Sequence, residues 1–475
     1  MTDELFRSLP SIERLLASAA ALRAAALVGR DRTRDLLREI TDGLRREIMS
    51  GVWSDADRAA DIAFEVERRL EAQTTRLATP SLRRVITATG VIIHTNLGRA
   101  PLARAAIERV QEVAANYSNL EYDLSLGERG HRESHCQELL SRLTGSEAAI
   151  VTNNNAAAVL LVLNTLAEGG EVIVSRGEMI EIGGSFRIPE VMEKSGARIK
   201  EVGTTNRTRI GDYERAITSD TRLILRVHPS NYRIIGFTER PTVAEIAGLA
   251  RRAGIASFED LGSGCLVDLE PYGVKDEPVV AESIRAGISV VTFSGDKMLG
   301  GPQAGVIGGS REVIDRVRKN PLMRALRPDK MTCAALEATL RIYERGAAVE
   351  EIPVISRIAA TRSRIASRAE RFAERVTQAT RGRVKATTEE GASVIGGGSA
   401  PEVNLPTELV ALEDADGSAA ALEERLRCNS IPIIARTERD RVLIDLRTVA
   451  EDEEAIIIDA LARIAQPAPQ SAASI

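Results

Sequence analysis

Lysine is rare in this chain, and one lysine lies in a segment whose residues suit covalent chemistry. Of the 63 basic residues in 475, seven are lysines. The segment 293–305, FSGDKMLGGPQAG, places Lys297 after an apolar run and before a Gly-Gly-Pro turn, with Ser294 three residues earlier. A lysine amine in a crevice at a strand end can lose its proton and form a Schiff base, and a nearby serine can donate to a phosphate. We therefore expect Lys297 to be a catalytic residue and Ser294 to bind a cofactor.

A second candidate is Asp260, which closes the apolar segment 256–260. If Lys297 holds pyridoxal phosphate, the ring nitrogen of that cofactor needs a carboxylate to remain protonated, because the protonated ring accepts electrons. Asp260 is the predicted partner of that nitrogen. A strand-end aspartate is more commonly a helix cap or a turn residue, so the interpretation depends on the lysine motif.

The third candidate is the segment 150–159, IVTNNNAAAV, a strand that runs into an alanine-rich helix. The start of a helix offers unpaired N–H groups and the positive end of its dipole, which suit a phosphate dianion. We expect residues from Thr152 onward, including Asn154, Asn155 and Ala156, to cradle the cofactor phosphate. An asparagine-rich helix cap without a ligand fits the same pattern.

The elements that must position these residues change along the chain. Residues 1–78 carry apolar side chains at helical spacing, whereas from about residue 84 short β-rich runs alternate with helical stretches. This alternation predicts an α/β fold with a mostly parallel central sheet. The predicted strands of that part are 91–94, 148–152, 171–175, 198–202, 223–227, 256–260, 290–293 and 305–309. The predicted domains are a helical domain 1–65, a linker helix 66–84, a large α/β domain 85–345, a small α+β domain 346–465 and a disordered tail 466–475.

Composition excludes several classes of protein. The formal charge is −5, 44% of the residues are hydrophobic, and the longest apolar run, 156–163, is too short to span a bilayer. The first ten residues have no signal-peptide character. The four cysteines are scattered without metal-ligand spacing. We therefore expect a cytoplasmic protein with no membrane segment and no metal site.

The phosphate cup, the aspartate and the lysine, in this order, resemble the aspartate-aminotransferase-like superfamily of pyridoxal-phosphate enzymes. Longer segments narrow the resemblance to the bacterial selenocysteine synthases, the L-seryl-tRNA(Sec) selenium transferases, over nearly the whole chain. These segments are TGVIIHTNLGRAPL (89–102), YSNLEYDLSLGERGHR (117–132), SRGEMIEIGGSFRIPEVM (175–192), RVHPSNYRIIGFT (226–238), FSGDKMLGGPQAG (293–305), GGGSAPEVNLP (396–406) and RVLIDLRTV (441–449).

The resemblance implies a reaction that depends on pyridoxal 5'-phosphate and converts L-seryl-tRNA(Sec) to L-selenocysteinyl-tRNA(Sec). The seryl hydroxyl would be eliminated, and selenium from selenophosphate would add to the aminoacrylyl intermediate. Lys297 would carry the proton. Asp296 would help the hydroxyl to leave, although a structural turn residue at this position is an open alternative.

The resemblance also assigns arginines. Arg99, Arg324 and Arg327 would bind selenophosphate, since a guanidinium offers paired donors to an oxyanion, and we expect the last two to share a helical face. His94, in the loop of Arg99, is either an assistant or a structural residue. The helical N-terminal segment would bind tRNA phosphates, although charge alone favours a dimerisation or capping bundle. The predicted tRNA contacts are Arg30, Arg32, Arg34, Arg38, Arg45 and Arg46.

Some assignments remain open from the sequence. The resemblance implies a homo-oligomer, at least a dimer and by likeness a decamer built as a pentamer of dimers. The roles of the GERGHR segment (127–132) and of Arg436 stay undecided. The alternative function is a pyridoxal-phosphate lyase for a small amino acid, phosphorylated or not, which would not need the N-terminal domain. A non-enzymatic RNA-binding protein is a third possibility, and the intact lysine motif argues against it.

Overall fold

The computed structural model describes residues 6, 8–53, 61–182, 186–415 and 417–466. It divides into two compact units, Met1–Arg84 and Val85–Ile475. The helices are α1 Ile12–Leu16, α2 Ala19–Val28, α3 Arg30–Met49, α4 Asp61–Ala78, α5 Arg104–Ala115, α6 Ser134–Thr144, α7 Asn155–Ala167, α8 Ile188–Lys194, α9 Ile210–Ala216, α10 Val243–Ala253, α11 Val280–Arg285, α12 Arg311–Lys319, α13 Leu322–Leu326, α14 Lys330–Glu344, α15 Ala348–Glu351, α16 Pro353–Ala359, α17 Arg362–Ala379, α18 Ala419–Arg427 and α19 Glu453–Ile464. Among the helices described, we find none with the length and apolar character that crossing a bilayer requires.

The strands are short except for one long hairpin near the C-terminal end. They are β1 Ile86–Thr87, β2 Tyr122–Asp123, β3 Glu128–Arg129, β4 Ala148–Thr152, β5 Glu171–Ser175, β6 Glu181–Ile182, β7 Phe186–Arg187, β8 Arg198–Val202, β9 Thr221–Val227, β10 Ala256–Gly262, β11 Val290–Ser294, β12 Gly305–Gly309, β13 Val384–Gly396, β14 Ser399–Asp414, β15 Ile433–Ile434, β16 Arg436–Glu438 and β17 Arg441–Asp445. Of the eight strands predicted from the sequence, seven are therefore present with ends that differ by at most two residues.

The N-terminal unit is a helical bundle. Ser11 and Ser18 cap α1 and α2 by accepting hydrogen bonds from backbone N–H groups three residues later. Helix α3 buries Leu37, Ile40 and Leu44 on one face, and these pack with residues of α1, α2 and α4. The predicted border at residue 65 falls inside α4, whose apolar face needs the bundle for burial. The structure groups all of α4 with the bundle.

The second unit is built on a seven-stranded sheet with the order β4-β12-β11-β10-β9-β5-β8. Only β12 runs antiparallel to its neighbours within this sheet. Alternate residues of β4 enter two different hydrophobic cores, Ala149 and Val151 on one face and Ala148 and Ile150 on the other. Because side chains alternate along a strand, helices must cover both faces. The predicted α/β class with a mostly parallel sheet is confirmed.

A smaller antiparallel sheet, β13-β14-β17-β16, forms the C-terminal part of the second unit. One of its faces packs against α17 and α19 through Phe372 and Leu461. Strand β13 was not among the predicted strands, and the resemblance segment 396–406 lies mostly in β14, which begins at Ser399. Residues 467–475 of the predicted disordered tail are outside the described residues.

The prediction of a strand at 91–94 is wrong. Val91 makes a single bridge to Val394, and the chain then bends. Ile92 and Ile93 are nevertheless fully buried, and their N–H groups donate to the carbonyls of Val394 and Ile395 at 3.0 and 2.7 Å. Burial beside the β13–β14 turn explains the apolar run without a strand ladder.

Candidate active site

The central sheet brings the three predicted elements to one edge. Strands β4, β10 and β11 all end there, and they carry Asn155, Asp260 and Lys297 at or just beyond their carboxyl ends. The side-chain amide of Asn155 donates to Asp260 Oδ1 at 2.8 Å. Thr292, opposite Asp260 on β11, donates to the same oxygen at 3.2 Å. The helix start and the aspartate therefore belong to one site, as ligand sites at the carboxyl ends of such sheets generally do.

Lys297 is buried, with only 6% of its surface exposed. Burial lowers the pKa of its amine, and the positive charge of Arg99 acts in the same direction, while Asp260, Asp296 and Glu277 oppose the shift. A lowered pKa favours the neutral amine, which is the nucleophilic form. The lysine is therefore suited to covalent attachment of a carbonyl group.

Two glycines leave space next to this amine. A Cβ atom on Gly398 would lie 3.5 Å from Lys297 Nζ, and one on Gly262 would lie 4.0 Å from it. Both glycines have left-handed backbone conformations, with φ of 69° and 70°. The 396–398 loop therefore approaches the lysine closely, and side chains at these positions would fill the space a cofactor needs.

Asp260 is a buried carboxylate that forms no ion pair at contact distance within the described part of the chain. Burial raises its pKa, while the hydrogen bond from Asn155, the charge of Lys297 and the hydrogen bonds from Thr292 and the Gly262 N–H oppose the shift. A cationic ring N–H would be a suitable direct partner for this carboxylate. Asn155 Oδ1 is likewise buried without a hydrogen-bond partner in the described structure. Both observations fit a polar aromatic cofactor between Lys297 and Asp260.

The phosphate cup differs in detail from the prediction. The side chain of Asn154 accepts a hydrogen bond from the Ala157 N–H at 2.9 Å, so it caps the helix. The side chain of Asn155 is directed to Asp260. The first-turn N–H groups at Asn155 and Ala156 have no partner within a helix, as at any helix start. Backbone groups, more than asparagine side chains, are thus available to a phosphate.

Ser294 ends β11 and is buried, paired in register with Gly305 of β12. This places its hydroxyl at the same sheet edge as the cup, three residues from Lys297. The role of Ser294 toward a phosphate stays a prediction.

Arg99 lies beside the lysine turn. Its guanidinium forms an ion pair with Asp296 at 2.6 Å, and the Ala100 N–H donates to the Asp296 carbonyl at 3.3 Å. Asp296 is therefore the residue that holds Arg99 at the site, and it is 7% exposed. His94 lies in the same loop, where its Nδ1 is buried without a hydrogen-bond partner among the described residues.

The expectation that Arg324 and Arg327 share a helical face is wrong. Helix α13 ends at Leu326, and Arg327 has an extended backbone. The Leu326 carbonyl accepts a hydrogen bond from the Asn153 N–H at 2.7 Å, which ties this segment to the mouth of the phosphate cup. Arg324 is exposed on the short helix. Pro328 follows Arg327 directly, and a residue before proline disfavours the helical conformation, which explains why the helix stops before Arg327.

Glu121 forms ion pairs with three arginines. Its carboxylate contacts Arg132 at 2.5 Å, Arg327 at 3.2 Å and Arg129 at 3.3 Å. Arg132 also donates to the Pro328 carbonyl at 2.5 Å. The GERGHR segment, undecided from the sequence, therefore packs against the Arg327 segment and leaves a surplus of positive charge there.

His228 and Glu277 were missed in the sequence analysis. His228 directly follows β9, and burial with the charges of Arg240 and Arg226 lowers the pKa of its ring to about 4, so the ring is neutral at pH 7. Glu277 accepts hydrogen bonds from the Ser263 hydroxyl and, at 3.0 Å, from the Ala400 N–H. The charge of Lys297 influences both groups. The available signal for His228 was its position as a polar residue directly after a buried strand. Glu277 lies in a loop, and its position gave no such signal.

Arg436 lies on β16, near Asp445 at 4.0 Å and Glu438 at 3.9 Å. Two of its nitrogen atoms, Nε and Nη2, are buried without a hydrogen-bond partner in the described structure. The structure therefore gives Arg436 weak local partners and leaves its role undecided.

The order of the sheet, the buried lysine after one strand and the buried carboxylate on the next define the pyridoxal-phosphate enzymes of the aspartate-aminotransferase type. A solved D-glucosaminate-6-phosphate ammonia-lyase shares this fold, with a TM-score of 0.56 and 21% identity, covering 81% of this chain and 96% of that one.

Sequence comparison then narrows this class to one family. A family model described as L-seryl-tRNA selenium transferase matches residues 85–450, and one described as selenocysteine synthase N terminal matches residues 6–45. The L-seryl-tRNA(Sec) selenium transferase of Solidesulfovibrio magneticus is 49% identical over 98% of this chain and 99% of its own length. That of Geobacter sulfurreducens is 46% identical over 97% and 99%. The chain belongs to the L-seryl-tRNA selenium transferase family.

Proposed function

We propose that this enzyme converts L-seryl-tRNA(Sec) to L-selenocysteinyl-tRNA(Sec) with selenophosphate as the selenium donor. The proposal rests on one arrangement. The buried Lys297 amine lies near the Asp260 carboxylate, and Asp296, the neighbour of Lys297 in the chain, forms an ion pair with Arg99 of a separate loop. Such a site combines a place for pyridoxal phosphate with cations for an oxyanion.

Pyridoxal phosphate, when bound, supplies an electron sink that lets the seryl Cα proton be removed and the hydroxyl leave. Lys297, once free, is the base placed to take the Cα proton and to return a proton later. Asp260 would hold a positive charge at the ring nitrogen of the bound cofactor. Asp296 fixes Arg99 through their 2.6 Å ion pair. This ion pair supports the positioning of Arg99 as the main role of Asp296, and help to the departing hydroxyl would be an additional role.

For selenophosphate we propose Arg99, Arg324 and Arg327 as the binding residues. The residue before Arg327, Leu326, accepts a hydrogen bond from the Asn153 N–H at the phosphate cup, and the Arg327 guanidinium forms an ion pair with Glu121. A guanidinium that is held in place loses less freedom when it binds an oxyanion than a free one does. Glu121 is therefore a positioning residue for Arg327.

Glu121→Gln is expected to raise the KM for selenophosphate about threefold to tenfold while kcat stays unchanged, since contacting residues couple on this scale. The measurement is initial rate against selenophosphate concentration at saturating seryl-tRNA. Glu138→Gln is the matched control, because Glu138 pairs with Arg142 on the exposed face of α6. If Glu121 only neutralised charge, its removal would strengthen anion binding, so a lower KM would contradict the positioning role.

For tRNA we propose the N-terminal unit. Four of the six predicted arginines form ion pairs with carboxylates, namely Arg32 with Glu39, Arg34 with Asp31, Arg38 with Asp35 and Arg45 with Asp42. Exposed pairs of this kind contribute at most about 1 kcal/mol, so phosphate groups can replace the carboxylates. The side chains of Arg30 and Arg46 are exposed and form no ion pair within the described residues. The six arginines are therefore accessible despite a balanced charge.

The proposed function is tested by forming selenocysteinyl-tRNA in vitro and by comparing tRNA(Sec) with tRNA(Ser). The full chain is expected to prefer tRNA(Sec), and a chain lacking residues 1–84 is expected to lose at least about tenfold in affinity for it while keeping its cofactor absorbance. This truncation follows the boundary between the two units, so the core of neither unit is cut. Turnover of free or phosphorylated serine without any tRNA preference would instead establish the lyase alternative.

The proposal includes a cytoplasmic homo-oligomer, at least a dimer and by resemblance a pentamer of dimers. Several apolar side chains of the 117–126 segment support an association surface because they are exposed in the single chain. These are Tyr117, Tyr122, Leu124 and Leu126.

A further inference from the structure

Two adjoining cavities lie at the carboxyl edge of the sheet, and each has a volume of about 240 Å³. The outer cavity is lined by residues that follow β5, β8 and β9. The inner cavity is lined by His228, Glu277 and Ala400, among others. Four residues line both cavities, namely Pro229, Tyr232, Arg233 and Arg240. The cavities therefore share part of their walls.

The inner cavity lies on the side of the catalytic lysine, because the charge of Lys297 acts on His228 and Glu277 in its wall. Its Glu277 accepts a hydrogen bond from the Ala400 N–H, and Ala400 is two residues from Gly398, the glycine next to Lys297 Nζ. Ser263, which donates to Glu277, accepts a hydrogen bond through its carbonyl from the Met298 N–H at 3.0 Å. The wall of the inner cavity is therefore tied to the segments that surround the reacting amine.

The outer cavity has a flat cationic wall. The Arg207 guanidinium lies over the Phe237 ring, 4.0 Å from its centre, and also forms an ion pair with Glu239. Arg207 Nε is buried and has no hydrogen-bond partner among the described residues. With one face supported by Phe237, Arg207 presents a fixed plane at the cavity, and such planes stack on unpaired bases.

The charges of the outer cavity are compatible with a phosphodiester chain. Arg207, Arg233 and Arg240 line it together with Glu178 and Glu239. Arg233 pairs with Asp276 at 3.1 Å, while Arg240 forms no ion pair within the described residues. Positive charge with planar groups is the combination that binds single-stranded nucleic acid.

We propose that the outer cavity receives the 3'-terminal adenosine of the aminoacyl-tRNA, with the base stacked on Arg207, while the inner cavity carries the ribose ester toward Lys297. This inference rests on the proposed function and adds a binding site for the end of the substrate. The seryl group is attached to that terminal ribose, so the nucleoside must bind about one amino-acid length from Lys297. The outer cavity for the base and the inner cavity for the ribose ester therefore follow the order of base, ribose and seryl group in the substrate.

Phe237→Ala tests the stacking site. Phe237 is 75% exposed, so its removal is not expected to unfold the protein, and Ile235, also 75% exposed in the same loop, provides the matched control Ile235→Ala. We expect Phe237→Ala to raise the KM for seryl-tRNA(Sec) about tenfold, on the scale of one stacked base. The KM for selenophosphate and the cofactor absorbance should not change.

Competition with uncharged tRNA isolates the contribution of the terminal adenosine to binding. The wild type is expected to bind tRNA(Sec) with its terminal adenosine more tightly than tRNA(Sec) lacking it. Phe237→Ala should remove this difference yet bind the shortened tRNA like the wild type, and Arg207→Lys, which keeps the charge but loses the plane, should do the same. If both variants keep the preference for the terminal adenosine, the inference is wrong. Failure of the wild type to use seryl-tRNA at all would instead overturn the proposed function.

Discussion

Lys297→Ala is expected to abolish the visible absorbance of the lysine-bound cofactor and to lower selenocysteinyl-tRNA formation by about 10³-fold or more, since a positioned proton carrier contributes on that scale. The buried amine has a lowered pKa and follows β11, the strand that pairs with the Asp260 strand. Both its nucleophilic and its proton-transfer functions disappear with it. The absorbance spectrum and single-turnover rates measure the two effects separately.

Two further variants make the result specific. Lys319→Ala removes an exposed lysine at the end of α12 and should leave both readouts unchanged. Lys297→Arg keeps a positive charge that does not lose its proton at neutral pH, so it should be as inactive as the alanine variant. A Lys297→Ala protein that retained the lysine-type absorbance would show that another amine holds the cofactor.

Asp260→Asn is expected to lower turnover by about 10²- to 10⁴-fold, because removal of one member of a buried charge pair costs about 3–5 kcal/mol. The variant keeps the shape of the side chain but removes the negative charge that would stabilise the protonated ring nitrogen. The affinity for cofactor should fall as well, which can be measured by titrating the apoenzyme and following absorbance.

Thr292→Val is the matched control for Asp260→Asn. It removes the 3.2 Å hydrogen bond to Asp260 while keeping the carboxylate and the volume of the Thr292 side chain. We expect a loss of about tenfold, the lower end of the range for a hydrogen bond to a charged group and a smaller loss than for Asp260→Asn. Equal losses in both variants would show that the hydrogen-bond network, and not the charge, determines activity.

The sequence was informative where local pattern and chemistry coincide. Short β-rich runs of four or five residues identified seven of the eight predicted strands, because strands buried on both faces are mostly apolar. Lys297 and Asp260 were identifiable because each comes at the end of such a run, and parallel strands end at a common edge. The reaction was inferred from the family resemblance, because the spacing of residues along the chain does not specify a reaction.

Local pattern failed where burial came from distant segments. The run 91–94 is apolar because it packs beside the β13–β14 turn, some 300 residues later, and not because it forms a strand. The i, i+3 spacing of Arg324 and Arg327 suggested one face of a helix, but this second error has a local cause, because Pro328 directly after Arg327 disfavours a helical backbone there and the helix ends at Leu326.

The sequence by itself determined the class of sheet, the lysine and its aspartate, and the family. Only the tertiary structure decided which side chains surround them. It placed Asn155 against Asp260, paired Asp296 with Arg99 and gathered Glu121 with the arginines of a remote loop. The physical reason is that hydrogen bonds and ion pairs between segments more than 100 residues apart depend on where the fold brings their ends, and no local periodicity encodes that distance.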